Sequence, residues 1–310
     1  MSSINFDRLQ QYFGKRLQRD VPLGRYTTAR IGGNTAGLVE SKSAYDLADA
    51  VLFLWQERIP CKVIGGGSNL LISDDGFDGV VVLNKAAHTN LFENEISAVV
   101  YAESGANLGA LARRISLDGF TGLEWAAGIP GTLGGAVYGN AGAHGSDIAA
   151  ILEEVEVLLP DGRLAHWSAV DMRYAYRSSL LKRQFTTAVV LSAGLKVERG
   201  DGESIKSRLD EYTAARKQSQ PTGASLGSIF KNPAGDYAGR LIEAAGLKGA
   251  RVGGVEISPK HGNFFINDRQ ATAQDVYQLI RLAQKTVQEK FGVSLETEIE
   301  LLGSFKDGGK

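Results

Sequence analysis

GIPGTLGGAVYGNAGAHG, residues Gly128 to Gly145, carries seven glycines in 18 positions. A flexible linker would be Gly/Ser-rich and featureless, whereas here Ile129, Leu133, Val137 and Tyr138 are interleaved with the glycines and can anchor the segment to a core. The stretch reads as a packed, irregular loop. From Trp125 to Ser146 there is no formal charge, yet many backbone N–H groups have no side chain in front of them. That composition suits main-chain binding of a phosphate. A tight crossover between packed elements would use the same glycines.

Working outward, the 310-residue chain is long enough for two or three domains, and a chain of this size typically buries about three quarters of its unfolded surface. Apolar residues make up 43% and charged residues 22%, as in an ordinary globular protein. No run approaches the roughly 18 apolar residues of a membrane span, so no membrane insertion is expected. The start, MSSINFDRLQQYF, lacks a basic segment followed by an apolar one. No secretory signal is supported, and a cytoplasmic location is expected. A single cysteine, Cys61, excludes an internal disulfide and a cysteine-based zinc site, and the four histidines lack metal-ligand spacing. With 34 basic and 35 acidic side chains the charge is balanced, which argues against nucleic acid as a partner. An anionic ligand must be met locally.

Ser43 and Asp46 form a capping pair ahead of Leu47, Val51 and Leu54, predicting a helix over about 44–57. Lys62 to Ile64 and Leu70 to Ile72 read as short strands around the turn GGGSN. Val80 to Leu83 and Ala98 to Tyr101 are further strands, and Leu108, Leu111, Ala112 and Ile115 mark a helix that Gly119 can end. Val155 to Leu159 and Arg163 to Trp167 flank Pro160-Asp161-Gly162, a hairpin signal, and Ala188 to Val197 is another strand. Composition turns charged and glutamine-rich from Arg199, which predicts a domain boundary over Arg199 to Glu203. Tyr237 to Ala245 and the Val276–Val287 periodicity are helical. Leu295 to Leu302 alternates strictly, with Leu295, Thr297, Ile299 and Leu301 on one face and Glu296, Glu298 and Glu300 on the other.

Neither a dinucleotide fingerprint nor a P-loop is present: Gly65-Gly66-Gly67-Ser68-Asn69-Leu70 starts as the former and ends in leucine. What remains is two glycine-rich loops some sixty residues apart, each beside a strand. Their backbone donors could hold a diphosphate from both sides, as a large dinucleotide would require.

Six strings occur in a fixed order: TTARIGGNTAGLVE (Thr27 to Glu40), GGGSNLLI (Gly65 to Ile72), GIPGTLGGAVYGNAGAHGSDI (Gly128 to Ile148), YAYRSS (Tyr174 to Ser179), GSIFKNP (Gly227 to Pro233) and LETE (Leu295 to Glu298). In this the chain resembles the UDP-N-acetylenolpyruvoylglucosamine reductase family over almost its whole length. The resemblance implies an α+β chain with the FAD-binding fold of the vanillyl-alcohol oxidase type. Two α+β subdomains, 1–84 and 85–199, would be followed by an α+β substrate domain, 200–303, and a frayed tail, 304–310. The compact C-terminal part resembles the shorter form of the family. The implied reaction reduces an enolpyruvyl ether on a UDP-sugar to a lactyl ether for peptidoglycan. NADPH gives a hydride to noncovalent FAD, and the flavin passes one to the vinyl carbon.

The same resemblance assigns residues. Ser228 matches the proton donor, although a serine beside glycine can equally be a turn residue. Arg177 matches the arginine that pairs with the carboxylate or developing enolate, although it otherwise reads as a surface charge. Glu298 matches the glutamate that stabilises the intermediate, whereas alternation alone places it on a solvated face. Tyr176, Lys231 and Asn232 are candidate substrate contacts, Lys231 also reading as a solvated side chain. Cofactor contacts are implied at Arg30, at Ile64, Gly65, Gly66, Gly67, Ser68, Asn69 and Leu70, and along the glycine stretch at Gly128, Ile129, Pro130, Gly131, Gly134, Gly135, Tyr138, Gly139, Asn140, Ala141 and Gly145. His144 reads as a flavin neighbour or as a hydrogen-bonded loop histidine. Ser219 stands where the family often has lysine, which leaves open the cation that meets the diphosphate. No partner chain is called for, and a monomer is expected. Two other functions remain compatible: an FAD-dependent sugar or hydroxy-acid oxidase of the same fold, and a catalytically silent flavin- or UDP-sugar-binding protein.

Overall fold

Helix Ala44–Gln56 forms where Leu47, Val51 and Leu54 recur at helical spacing, and Ser43 Oγ accepts from Asp46 N at 3.1 Å to start it. In a computed structural model, which describes residues 4–95 and 97–306, this helix belongs to the first of two compact units. Of the expected tail, 307–310 lie outside the described residues. No helix among the described residues is long and apolar enough to cross a membrane.

The first unit comprises the chain up to Gln18, Gly37–Gly66 and Gly79–Arg216. Its larger sheet runs in the order Leu164–Trp167, Leu152–Leu158, Val189–Arg199, Ala98–Glu103, Thr89–Glu93, all antiparallel. Helices Leu108–Leu117 and Leu133–Gly139 contribute Leu111, Ile115, Leu133 and Val137 to the core that also holds Val100, Val155 and Leu195. A second core lies between helices Phe6–Phe13 and Ala44–Gln56 and the strands Asn34–Ser41, Phe77–Asn84 and Cys61–Ile64, the last two parallel. There Tyr12 and Phe53 stack with ring centroids 3.6 Å apart. Burial pushes the Cys61 thiol up to about 11.

The second unit comprises Arg19–Ala36, Gly67–Asp78 and the chain from Lys217 onward. Strands Arg251–Val252, Val255–Ile257 and Phe265–Asn267 form an antiparallel meander. Helices Ala238–Ala244 and Ala273–Phe291 bury Leu241, Ile242, Leu279, Ile280 and Val287 in a core with Ile229, Phe230 and Phe265. The long helix opens on a capping box, Thr272 with Asp275, and closes on left-handed Gly292. Asp74 adds a carboxylate at the same N-terminus, accepting from Ala273 N at 2.8 Å and Gln274 N at 2.9 Å.

One sequence expectation is corrected. The alternating run Leu295 to Leu302 is a strand only over Glu300–Leu302, paired in parallel with Leu70–Ile72. Leu301, expected inside, is 42% exposed, while Glu298 is half-buried. By compactness the described chain divides into two discontinuous units, with one boundary after Arg216. Helix Gly202–Ser219 stays with the first unit as far as Arg216 for a physical reason. Its Arg208 donates at 2.8 Å and 3.0 Å to buried Glu124, and Tyr212 stacks on His144 at 4.1 Å. Burial would raise the Glu124 pKa, but its backbone hydrogen bonds and those from Thr121, Arg208 and Gly122 together bring it below the usual carboxylate value.

Candidate active site

In the first unit the two glycine loops meet. A Cβ at Gly65 would collide with the Thr132 side chain, and one at Gly66 would lie 3.0 Å from Gly131 Cα. Among the described residues, the N–H groups of Gly66 and Gly131 donate to no protein acceptor. Those of Leu133 and Gly134 are already engaged, with the carbonyls of Ala106 at 2.8 Å and Ser104 at 2.7 Å. The available donors therefore sit in the loops rather than on the helix that follows. Gly139 ends that helix with an ordinary φ, and a Cβ there would meet no protein atom within 4 Å. Gly135, one turn earlier, is as bare, its nearest neighbour being Thr132 Oγ1 at 3.7 Å. Packing does not require glycine at either position, so the pair leaves an uncovered backbone face.

Arg177 reaches this stretch from a tight turn. Ala175 and Ser178 exchange backbone hydrogen bonds of 3.0 Å, with Tyr176 and left-handed Arg177 between them. Tyr174 Oη donates to Val137 O at 3.0 Å, Ser179 Oγ to Tyr138 O at 2.6 Å, and Asn140 Nδ2 to Ala175 O at 3.2 Å. Burial first, and Asp147 second, raise the Tyr174 pKa, so it remains a neutral donor. The stapled turn sets Arg177 Nη2 2.6 Å from Gly142 O. Asn140 is 3% exposed, and its amide also meets Asp147 Oδ2 and Ala149 N. The side chain of this expected cofactor contact is thus part of the scaffold.

In the second unit the strip Ser228 to Lys231 is held on both sides. Ile229 N donates to Asn263 O at 2.9 Å, Phe230 N to Asn263 Oδ1 at 2.9 Å, and Asn263 Nδ2 to Phe230 O at 2.8 Å. On the other side Glu298 N donates to Ile229 O at 2.8 Å and Lys231 N to Glu296 O at 2.9 Å. The backbones of Ser228 and Glu298 are therefore brought together across one short pairing. Ser228 and Glu298 are both half-buried. Asn69 Nδ2 donates to Glu298 O at 3.1 Å.

Other expected site residues have more local surroundings. Lys231 is not solvated: its side chain is 15% exposed and pairs with Glu296 at 2.5 Å. Asn232 Oδ1 accepts from Ala238 N at 3.1 Å and caps a helix. Tyr176 is exposed, with the Arg177 guanidinium 5.5 Å from its ring centroid. Ile64 and Leu70 are buried ends of strands. Gly67 has φ +58, and a Cβ there would collide with Tyr26 O. Tyr138 has Lys62 Nζ 6.0 Å from its ring centroid, and Arg30 is exposed in a left-handed conformation. Gly128 lies under the Arg216 side chain, at which a Cβ would come within 2.7 Å. His144 stacks on Tyr212. Sequence reasoning missed Asn263, which carries no motif signal because its partners are backbone groups 33 residues away.

Residues 35–168 match the family model of the FAD binding domain, and with the paired glycine loops they define a flavoprotein with an FAD-binding domain. Residues 218–302 match the C-terminal domain of UDP-N-acetylenolpyruvoylglucosamine reductase. A protein of that name from Chloroflexus aurantiacus is 41% identical over 289 residues, covering 92% of this chain and 97% of that one. Another from Caldanaerobacter subterraneus subsp. tengcongensis is 41% identical over 305 residues, covering 98% and 99%. The crystal structure of the Thermus caldophilus reductase is similar at 36% identity and a TM-score of 0.79, over 93% of this chain and 99% of that one. The chain belongs to the UDP-N-acetylenolpyruvoylglucosamine reductase family. Its residues fit an FAD: the loops offer an uncharged surface with backbone donors at Gly66 and Gly131 and bare helix positions at Gly135 and Gly139.

Proposed function

We propose that the chain reduces UDP-N-acetylenolpyruvoylglucosamine to UDP-N-acetylmuramate for peptidoglycan synthesis, with NADPH as reductant and FAD bound noncovalently. FAD, when bound, supplies hydride transfer, from the nicotinamide to the terminal vinyl carbon of the sugar ether. Addition across the double bond then needs one proton at the neighbouring carbon, and Ser228 Oγ is assigned as its source. Glu298 is assigned to donate a hydrogen bond to the negative charge that develops on the enolpyruvyl group, which it does as the neutral acid. Arg177, fixed at Gly142, is assigned the substrate carboxylate through its planar fork. The N–H groups of Gly66 and Gly131 are assigned the cofactor diphosphate, residues 1–199 carrying the cofactor and 200–303 the substrate.

The observation that carries this reading is the pairing of Glu298 N with Ile229 O, which sets the glutamate backbone beside the residue that follows Ser228. A balanced surface, with formal net charge −1, leaves recognition of the anionic sugar to local groups. The reading further assigns a cytoplasmic monomer. Steady-state assay of the FAD-loaded protein should show NADPH oxidation that depends on the enolpyruvyl UDP-sugar, with a product heavier by two hydrogens. Rapid NADPH-independent turnover of a sugar or hydroxy acid with oxygen would instead identify an oxidase and overturn the proposal.

A further inference from the structure

Glu298 lies where regular pairing runs out. The parallel ladder joins Glu300–Leu302 to Leu70–Ile72, and Glu300 N donates to Asn69 O at 2.9 Å as the last rung. The next place along this pairing falls two residues further back, at Glu298 O. The Asn69 side chain takes that place, its Nδ2 donating at 3.1 Å. With Glu298 N on Ile229 O at 2.8 Å, the peptide groups on both sides of the glutamate Cα are fixed. We infer that Asn69 is a positioning residue for the reaction: its amide holds the Glu298 main chain and so aims the carboxyl. This rests on the role proposed for Glu298 above.

The choice of an amide follows from the chemistry. A carbonyl needs a donor, and a lysine would place a full charge close to the Glu298 carboxyl, favouring its ionised form, whereas an amide donates without charge. An aspartate of the same shape would oppose an oxygen to the Glu298 carbonyl. A fixed main chain limits the arc through which the carboxyl can swing, and small misplacements of a catalytic group cost rate. Asn69 belongs to the GGGSN loop expected to contact the cofactor, so this inference redirects its side chain from the flavin to the glutamate.

The test compares wild type with Asn69→Ala, Asn69→Asp and Asn69→Gln as FAD-loaded proteins, measuring flavin content and the two half-reactions separately under anaerobic conditions. Flavin content and bleaching by NADPH should stay within about twofold of wild type in Asn69→Ala, while recovery on the enolpyruvyl sugar slows about tenfold, the loss of one hydrogen bond. Asn69→Asp should be slower still, and Asn69→Gln, which retains the donor, should recover part of the rate. Equal slowing of both halves, unchanged recovery, or loss of flavin affinity would overturn the inference, the last by making Asn69 a flavin contact. If the wild type does not reoxidise on that sugar, the functional reading fails, and positioning is judged by carboxyl-carbon NMR of the FAD-loaded proteins. The Glu298 resonance, assigned with Glu298→Gln, should titrate at different pH in wild type and Asn69→Ala, and identical titrations would overturn the inference. Should Asn69→Ala not fold, the comparison of wild type with Asn69→Gln and Asn69→Asp decides by the same criteria.

Discussion

A serine hydroxyl is a weak acid near neutral pH, so Ser228 can protonate carbon only if that carbon is strongly basic and the hydroxyl is already in place. Asn263 fixes the backbone that follows Ser228, bonding both main-chain polar groups of Phe230 and, through its own carbonyl, Ile229 N. Ser228→Ala should leave flavin bleaching by NADPH unchanged and slow the recovery on the enolpyruvyl sugar by roughly 10²- to 10⁴-fold, the usual contribution of a general acid. Rapid-mixing absorbance resolves the two steps, and a variant fast in both would remove Ser228 from the mechanism. At this scale the sequence was legible where a residue sits in a string such as GSIFKNP. It was silent where an amide bonds distant backbone, as Asn140, Asn263 and the Asn69 side chain do, because nothing in local pattern encodes such partners.

Among the elements, helix Gly202–Ser219 is attached through a charge pair, and its stability should respond accordingly. Arg208 is partly exposed, whereas the Glu124 side chain is 5% exposed. Removing the arginine strands a buried carboxylate, so Arg208→Ala should cost about 2–4 kcal/mol in denaturant unfolding at neutral pH. The native Glu124 pKa lies below its ordinary value, so the pair's contribution is complete above the unfolded carboxylate pKa of about 4.3 and fades as pH falls through the lower, folded value. The gap between wild type and variant should therefore be constant from about pH 8 to 5 and close in stronger acid; no gap at neutral pH would contradict the role. Helices with clear periodicity and caps, Ala44–Gln56 and Ala273–Phe291, were readable because their signals are local. The run Leu295 to Leu302 was misread because alternation states which faces differ and not which edge is available. Only Glu300–Leu302 finds a strand, and the segment before it is held by Asn69 and Ile229.

For the whole molecule, charge balance and a lone cysteine narrowed the classes of function, while the division into units could not be read along the chain. Each unit collects separated segments, and compositional shifts mark only linear boundaries. Six strings in order suggested the family, and membership rests on relatives 41% identical over almost the whole chain; the glycine loops and Arg177 belong to the first unit, and the proposed Ser228 and Glu298 to the second. The most direct test is anaerobic stopped-flow absorbance of the purified FAD-loaded wild type, mixed first with NADPH and then with UDP-N-acetylenolpyruvoylglucosamine. The expected result is bleaching of the flavin followed by rapid recovery on the sugar. Bleaching with no recovery on that sugar, or a protein that retains no flavin, would contradict the proposed reductase.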